Sequence, residues 1–272
     1  MIEVIAEAGI NHNGDIETAK KLIDVAYAAG CQYVKFQKRT IDLVYTPEEL
    51  DKPRESPWGD TTRQQKEGIE FGIKEYMEIS SYCEGKIGWF ASPWDMESID
   101  FLLRFDVPFI KIPSALITDF EFMDACKNTG KKLILSTGMC EEEQVSVAID
   151  KYLKSTYAIL HCTSTYPTRP DEINMNYLES MIGRYAHNVK VGFSNHYPGL
   201  MALIMAAVCG AEMLELHITL DRTMYGSDQA ASIEPQGLFR LMEAIKLIEQ
   251  MRGDGIKRVY ESEVPIMKKL RR

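Results

Sequence analysis

Two lysines stand inside short apolar runs, Lys35 in Tyr33–Gln37 and Lys111 in Phe109–Ile112. A buried ammonium is costly unless a carboxylate or an anionic ligand meets it. Ser92, Ser114, Ser136 and Ser194 stand at or just beyond the ends of similar runs. Lysines and hydroxyls so placed can cradle a phosphate and a carboxylate; internal salt bridges, for instance with Glu7, are the alternative use of the same lysines. Two histidines, His196 and His217, also sit at the ends of such runs. If those runs are neighbours, the two imidazoles can share one divalent cation, with water and substrate oxygens completing its shell. Hydrogen-bonded core histidines are the plainer alternative.

The remaining histidines and cysteines read differently. His161 has an apolar flank and reads as structural, and His187 lies in a loop-like Tyr-Ala-His-Asn stretch and reads as exposed. His12 either touches the site or stabilises a turn. Cys140 and Cys162 fall near the same strand ends but have no dedicated base beside them in sequence, so packing is the expectation. Met201 and Met205, at helical spacing, read as core. The basic run Lys268 to Arg272 reads as a solvated helix end.

These residues need a scaffold that brings strand ends together. Candidate strands are Val4–Ala8, Tyr33–Gln37, Gly88–Ala91, Phe109–Ile112, Leu133–Ser136, Ala158–Cys162, Lys190–Phe193 and Met213–His217. Between them lie stretches with apolar spacings of three and four, such as Ala19-Leu22-Ile23-Ala26 and Leu238-Leu241-Ile245-Ile248, the mark of amphipathic helices. Gly30, Gly130 and Gly210 follow three of them, where a left-handed helix end is expected. Eight strand–helix alternations predict a (β/α)₈ TIM barrel forming one domain over residues 1–272. A doubly wound open sheet is the rival, but no GxGxxG follows the first strand. The segment 40–61, holding Pro47, Pro53, Pro57 and Trp58, follows strand two and is the candidate lid.

A barrel keeps its chemistry at the C-terminal ends of its strands. That rule adds Glu7 from strand one to the candidates. It adds Gln37 as well, which shares the parity of Lys35 and therefore its face.

Composition narrows the function classes. The chain has 272 residues, 31 basic and 40 acidic, for a net charge of −9. That balance argues against a nucleic-acid binder or a membrane-surface protein. The longest apolar run, about a dozen residues from Leu200, falls short of the roughly 20 that span a bilayer. Six scattered cysteines without CxxC and an acidic N-terminus without a signal pattern predict a reduced, cytoplasmic protein.

The motifs stand in a telling order: Ala6-Glu7-Ala8-Gly9-Ile10-Asn11-His12-Asn13-Gly14, Val34-Lys35-Phe36-Gln37, Lys111-Ile112-Pro113-Ser114 and Leu135-Ser136-Thr137-Gly138-Met139. After them come Leu160-His161-Cys162-Thr163, Gly192-Phe193-Ser194-Asn195-His196, Glu215-Leu216-His217 and the loop from Leu220 to Asp228. Together they resemble the catalytic barrel of the N-acetylneuraminate (sialic acid) synthase family, which includes legionaminate and pseudaminate synthases. The resemblance implies condensation of phosphoenolpyruvate with an N-acetylmannosamine-like aldehyde sugar to a nonulosonic acid, with release of phosphate. It implies His196 and His217 as ligands of a divalent metal, Mn²⁺ by preference with Mg²⁺ or Co²⁺ as alternatives. Lys35, Lys111, Ser114, Ser136 and Ser194, with Ser92, would hold phosphoenolpyruvate. Glu7, Gln37, Tyr166 and Asp228 would face the sugar and the reacting centre, Glu7 or Asp228 handling protons. A homodimer is implied as well.

Two departures from the family pattern bear on the acceptor. The family's sugar-binding Glu, two residues past Ser114, is Leu116 here, and its Asn after the His-Cys-Thr motif is Ser164. The family's antifreeze-like C-terminal domain, whose arginine covers the partner's site, is expected to be missing because the sequence ends at Arg272. The alternatives to the leading reading are a related barrel aldolase or synthase with another aldehyde acceptor, and a non-catalytic barrel subunit.

Overall fold

Short β-branched runs separated by amphipathic helices can bury both faces of a sheet only if that sheet is parallel and wrapped in helices. The computed structural model, which describes residues 1–271, has that arrangement; Arg272, the last of the terminal basic run, lies outside the described residues. The barrel strands are β1 (Glu3–Gly9), β2 (Tyr33–Lys38), β3 (Gly88–Pro93), β4 (Phe109–Ile112), β5 (Lys132–Ser136), β6 (Thr156–Cys162), β7 (Lys190–Asn195) and β8 (Met213–His217). They close in the order β1-β8-β7-β6-β5-β4-β3-β2, so first and last strands pair and no edge is left. The predicted TIM barrel is the fold.

Local chemistry explains how the helices are set. Asp15 caps the helix Ile16–Ala29 by accepting the backbone N–H groups of Glu17 and Thr18, and Gly30 ends it at φ 89°. Its Ala19, Leu22, Ile23 and Ala26 are buried against the barrel. The helix Met201–Cys209 corrects one expectation. It buries Ala202, Leu203, Ala206 and Ala207, while Met201 and Met205 are 69% and 48% exposed. This helix is apolar all round, so a spacing of four marked two faces equally and did not select the buried one.

The segment 40–61 is ordered by its own caps. It forms two single helical turns, Ile41–Val44 and Pro47–Leu50, and an antiparallel hairpin of Pro53–Ser56 with Gly59–Thr61. Thr46 and Thr61 cap the helices that follow them, and Leu50 is fully buried as the anchor. Among the described residues no helix is long and apolar enough to cross a membrane.

Candidate active site

The site begins with a register. On β1, Glu7 lies opposite Lys35 of β2 on one side and His217 of β8 on the other, so all three side chains point into the barrel. Lys35 Nζ lies 2.7 Å from Glu7 Oε2 and 3.7 Å from Glu215 Oε1. Lys111 Nζ lies 3.5 Å from the same Glu215 oxygen. The two lysines therefore share one carboxylate. Each also donates to a serine: Lys35 to Ser92 Oγ at 3.1 Å, and Lys111 to Ser136 Oγ at 2.6 Å. The salt-bridge alternative and the hydroxyl cradle are both present, built from the same ammonium groups. Ser194 donates to Glu215 Oε1 at 3.3 Å, and Gln37 Nε2 donates to Glu7 Oε1 at 2.7 Å.

Glu215, which both lysines share, has no role assigned from the sequence. The signal was available: Glu215 and His217 are two apart on one strand and so share a face, the same parity that pairs Lys35 with Gln37. Arg39 was also missed. It donates to Gln37 Oε1, and its guanidinium lies 4.4 Å from the centre of the Trp94 indole.

Burial and charge set the protonation of this floor. Burial raises the Glu215 carboxyl, but Lys111 and Lys35 outweigh it and hold it down at about 2. Burial would push the Lys35 ammonium down, yet Glu215 and Glu7 overcome that and keep it above the ordinary lysine range. Lys111 remains below that range because burial outweighs the Glu215 attraction. Burial also pushes Glu7 up, which suits a carboxyl that exchanges a proton.

Above the floor is a pocket of about 220 Å³ at the C-terminal ends of the strands. Glu7, Lys35, Gln37, Ser92, Lys111, Ser114, Ser136, Ser164, Tyr166, Ser194, His196 and His217 all line it. Asp228 is the one predicted site residue outside this lining; its Oδ2 lies 3.8 Å from His217 Nδ1. A larger concavity of about 850 Å³ lies at the opposite end of the barrel, around the start of β3, away from the lysines and histidines. Gly138 is required by the pocket wall. A Cβ there would fall 2.2 Å from Ser164 Oγ and 2.8 Å from Ser114 Oγ, and its N–H donates to Ser114 Oγ at 3.1 Å.

The rings of His196 and His217 lie 5.5 Å apart, with Tyr166 at 4.0 Å from the first and 5.7 Å from the second. His196 Nδ1 donates to the Thr163 carbonyl at 2.7 Å, so in the neutral ring the lone pair is on Nε2. His217 Nδ1 is buried with no hydrogen-bond partner. Burial pushes this imidazole down to about 4, so it is neutral, the form in which histidine binds metals. Burial would push the His196 imidazole down, but Cys162 and the Thr163 carbonyl outweigh it and hold it above the ordinary histidine range, so a cation must displace its Nε2 proton. With that proton lost, the two imidazoles fit a divalent cation whose other positions are open. No group of three or more metal-ligating side chains occurs among the described residues.

The other candidates fall where their chemistry puts them. Cys162 Sγ lies 3.8 Å from His196 Nδ1, so a ring nitrogen does stand beside it, contrary to the sequence expectation. Burial raises that thiol, but the charged form of His196, with Lys111 and Ser114, outweighs it and draws it below the ordinary range. The nitrogen already donates to Thr163, however, and has no lone pair to take the thiol proton. His161 Nε2 donates to the Ile173 carbonyl at 2.7 Å, a structural bond, and His187 is exposed. His12 stabilises the turn: Nδ1 accepts the Gly14 N–H at 3.1 Å and the ring stacks on Phe71 at 3.9 Å. Leu116 packs against the buried cluster behind β4 and does not line the pocket, whereas Ala115 does.

The family model described as the NeuB family matches residues 22–257. The chain is 34% identical over 273 residues to the mouse N-acetylneuraminate-9-phosphate synthase, covering 98% of this chain and 76% of that one. It is 34% identical over 274 residues to the N,N'-diacetyllegionaminic acid synthase of Campylobacter jejuni, covering 96% and 80%. Among solved structures, the N-acetylneuraminic acid synthetase of Leptospira borgpetersenii in complex with citrate superposes with a TM-score of 0.85 at 29% identity, covering 100% and 93%.

Proposed function

Because the chain belongs to the NeuB family, we propose that it condenses phosphoenolpyruvate with the open-chain aldehyde of an N-acetylmannosamine-like amino sugar. The products are a nonulosonic acid and inorganic phosphate. The named relatives are acid synthases, and this chain is an enzyme of that kind. One observation carries the reading: two buried lysines, Lys35 and Lys111, share Glu215 on the floor of a hydroxyl-lined pocket that also holds His196 and His217.

Each half of the pocket has a task in this reaction. Lys35 and Lys111, with Ser92, Ser114, Ser136 and Ser194, neutralise and orient phosphoenolpyruvate with C3 turned toward the acceptor. His196 and His217 would hold a divalent cation, Mn²⁺ by preference, whose chemistry when bound is Lewis-acid polarisation of the aldehyde. The C3–carbon bond forms as the aldehyde oxygen takes a proton and C2 becomes electron-deficient. Water adds at C2 and loses one proton; the remaining C2 hydroxyl then becomes the ketone as the C2–O bond to phosphate breaks, its proton leaving with the phosphate. Glu7, raised by burial and held by Gln37 and Lys35, takes the proton that the water loses; Asp228, beside His217, serves the aldehyde oxygen. Tyr166 and Ser164 border the acceptor side.

The acceptor itself is the part set by this chain's own departures. With Leu116 packed away from the pocket and Ser164 on its wall, sugar hydroxyls meet a smaller, less acidic surface. The enzyme works as a homodimer in this reading, which sedimentation would test.

The deciding experiment is phosphate release from phosphoenolpyruvate with Mn²⁺ across a panel of aldehyde sugars, with His217→Ala beside the wild type. Release that needs both sugar and metal, and disappears in His217→Ala, is the expected result. Metal-dependent cleavage of a hydroxy-ketoacid without phosphate release would instead favour an aldolase. Failure of phosphoenolpyruvate to bind would end the condensing-enzyme reading.

A further inference from the structure

Three separate segments of the site face meet at Tyr225. Its carbonyl accepts from Asn13 Nδ2 at 2.8 Å, in the loop after β1, and from Gln229 Nε2 at 3.3 Å. Its ring meets Trp58 of the hairpin edge-on, with centroids 5.7 Å apart, and its hydroxyl donates to the Glu55 carbonyl at 3.4 Å. Trp58 in turn is seated on Gly68, where a Cβ would fall 2.1 Å from the indole Cγ. The Gly68 carbonyl packs on Gly14, next to Asn13; a Cβ on Gly14 would come within 2.0 Å of it. The hairpin, the loop after β1 and the loop after β8 thus close a ring of contacts around one tyrosine.

That ring bears on the site because Asp228 stands three residues beyond Tyr225. The stretch 220–228 has no helix or strand of its own. On its far side Asp228 is held by Ser232, whose hydroxyl donates to the Asp228 carbonyl at 2.7 Å. On its near side the contacts of Tyr225 do the holding, with only Gly226 and Ser227 between. An irregular loop keeps a side chain in one place only through such tertiary contacts. We infer that Trp58, acting through Tyr225, is a positioning residue that fixes Asp228 against His217. The candidate lid is then a brace for the acceptor side of the site. The inference rests on the function proposed above, since only there does Asp228 do chemistry.

A double-mutant cycle with Asp228→Asn tests it, joined to hydrogen exchange. Trp58→Ala should lower kcat for sugar-dependent phosphate release roughly tenfold, while the Kd for phosphoenolpyruvate stays unchanged and Trp58→Phe restores most of the rate. In the Asp228→Asn background the same change should cost less than about twofold, because the residue it positions no longer works. Amides in 220–229 should exchange about tenfold faster in Trp58→Ala, with β4 and β5 unaffected. Asn13→Gly keeps the left-handed backbone of that position (φ 50°) and serves as the second variant should Trp58→Ala not fold. Unchanged exchange in 220–229, or an undiminished loss of rate in the Asp228→Asn background, would overturn the inference. If the wild type turns over no acceptor at all, the parent function fails, and the exchange result alone decides the brace.

Discussion

Lys35 and Glu7 form an ion pair 2.7 Å long at the floor of the barrel, with side chains only 4% and 1% exposed. Neighbouring strands hold them in direct register, and Glu215 lies close enough to the same ammonium to serve Lys111 as well. Two lysines and two carboxylates therefore balance one another before any anion arrives. A buried charge set of this kind is costly to break from one side and is open to replacement by a ligand of the same sign.

Glu215→Gln should accordingly destabilise the ligand-free protein by about 3 kcal/mol, since two buried ammoniums would then share one carboxylate. Phosphoenolpyruvate should raise the thermal midpoint of the variant by more than that of the wild type, its anion taking over from the lost carboxylate. Thermal unfolding with and without the ligand measures both effects. A smaller ligand-induced shift in the variant would show that the anion does not bind at these lysines.

Gly138→Ala should lower activity at least about tenfold and cost about 1–3 kcal/mol of stability, as overpacking does. The added methyl would fall 2.2 Å from Ser164 Oγ and 2.8 Å from Ser114 Oγ, so both hydroxyls must move. Steady-state kinetics beside chemical unfolding checks this. Activity within twofold of the wild type would mean that neither serine needs its present place.

Chelation of divalent ions should abolish phosphate release, and added Mn²⁺ should restore it in the wild type but not in His217→Ala. The expectation follows from the neutral His217 imidazole, whose buried Nδ1 has no hydrogen-bond partner, beside His196. Direct metal titration by calorimetry gives an answer that does not depend on turnover. Equal Mn²⁺ binding by wild type and variant would remove His217 from the ligand set.

His12 should make the fold acid-sensitive in a defined window. Burial pushes its folded pKa down to about 3, against 6.5 for the free side chain. Below pH 6.5 the unfolded chain takes up a proton that the folded one refuses, so stability is complete above 6.5 and is lost as pH falls toward 3. Between pH 7 and pH 5 this share is about 2 kcal/mol. The stability difference between wild type and His12→Asn, from urea unfolding at both values, should shrink by that amount. An unchanged difference would mean that His12 titrates normally in the fold.

Much of this site was legible along the chain. Lys35, Lys111 and the serines announced themselves because residue type inside an apolar run is a local fact, and period-two parity then assigned Lys35 and Gln37 to one face. Eight strand–helix alternations likewise pointed to the barrel, and with it the rule that strand ends carry the chemistry. What spacing left ambiguous was any choice between equivalent faces, as in the all-apolar helix of Met201 and Met205.

Only the closed barrel decided which charges meet. That Glu7 stands between Lys35 and His217, and that Glu215 on β8 serves lysines from β2 and β4, follows from inter-strand register, which no single strand encodes. The tie between Trp58 and Tyr225, 167 positions apart in the chain, is of the same kind. Local sequence determines periodicity, parity and caps because these depend on a few neighbouring dihedral angles. Register and loop docking are set by the simultaneous packing of the whole barrel, and exist only once it has closed.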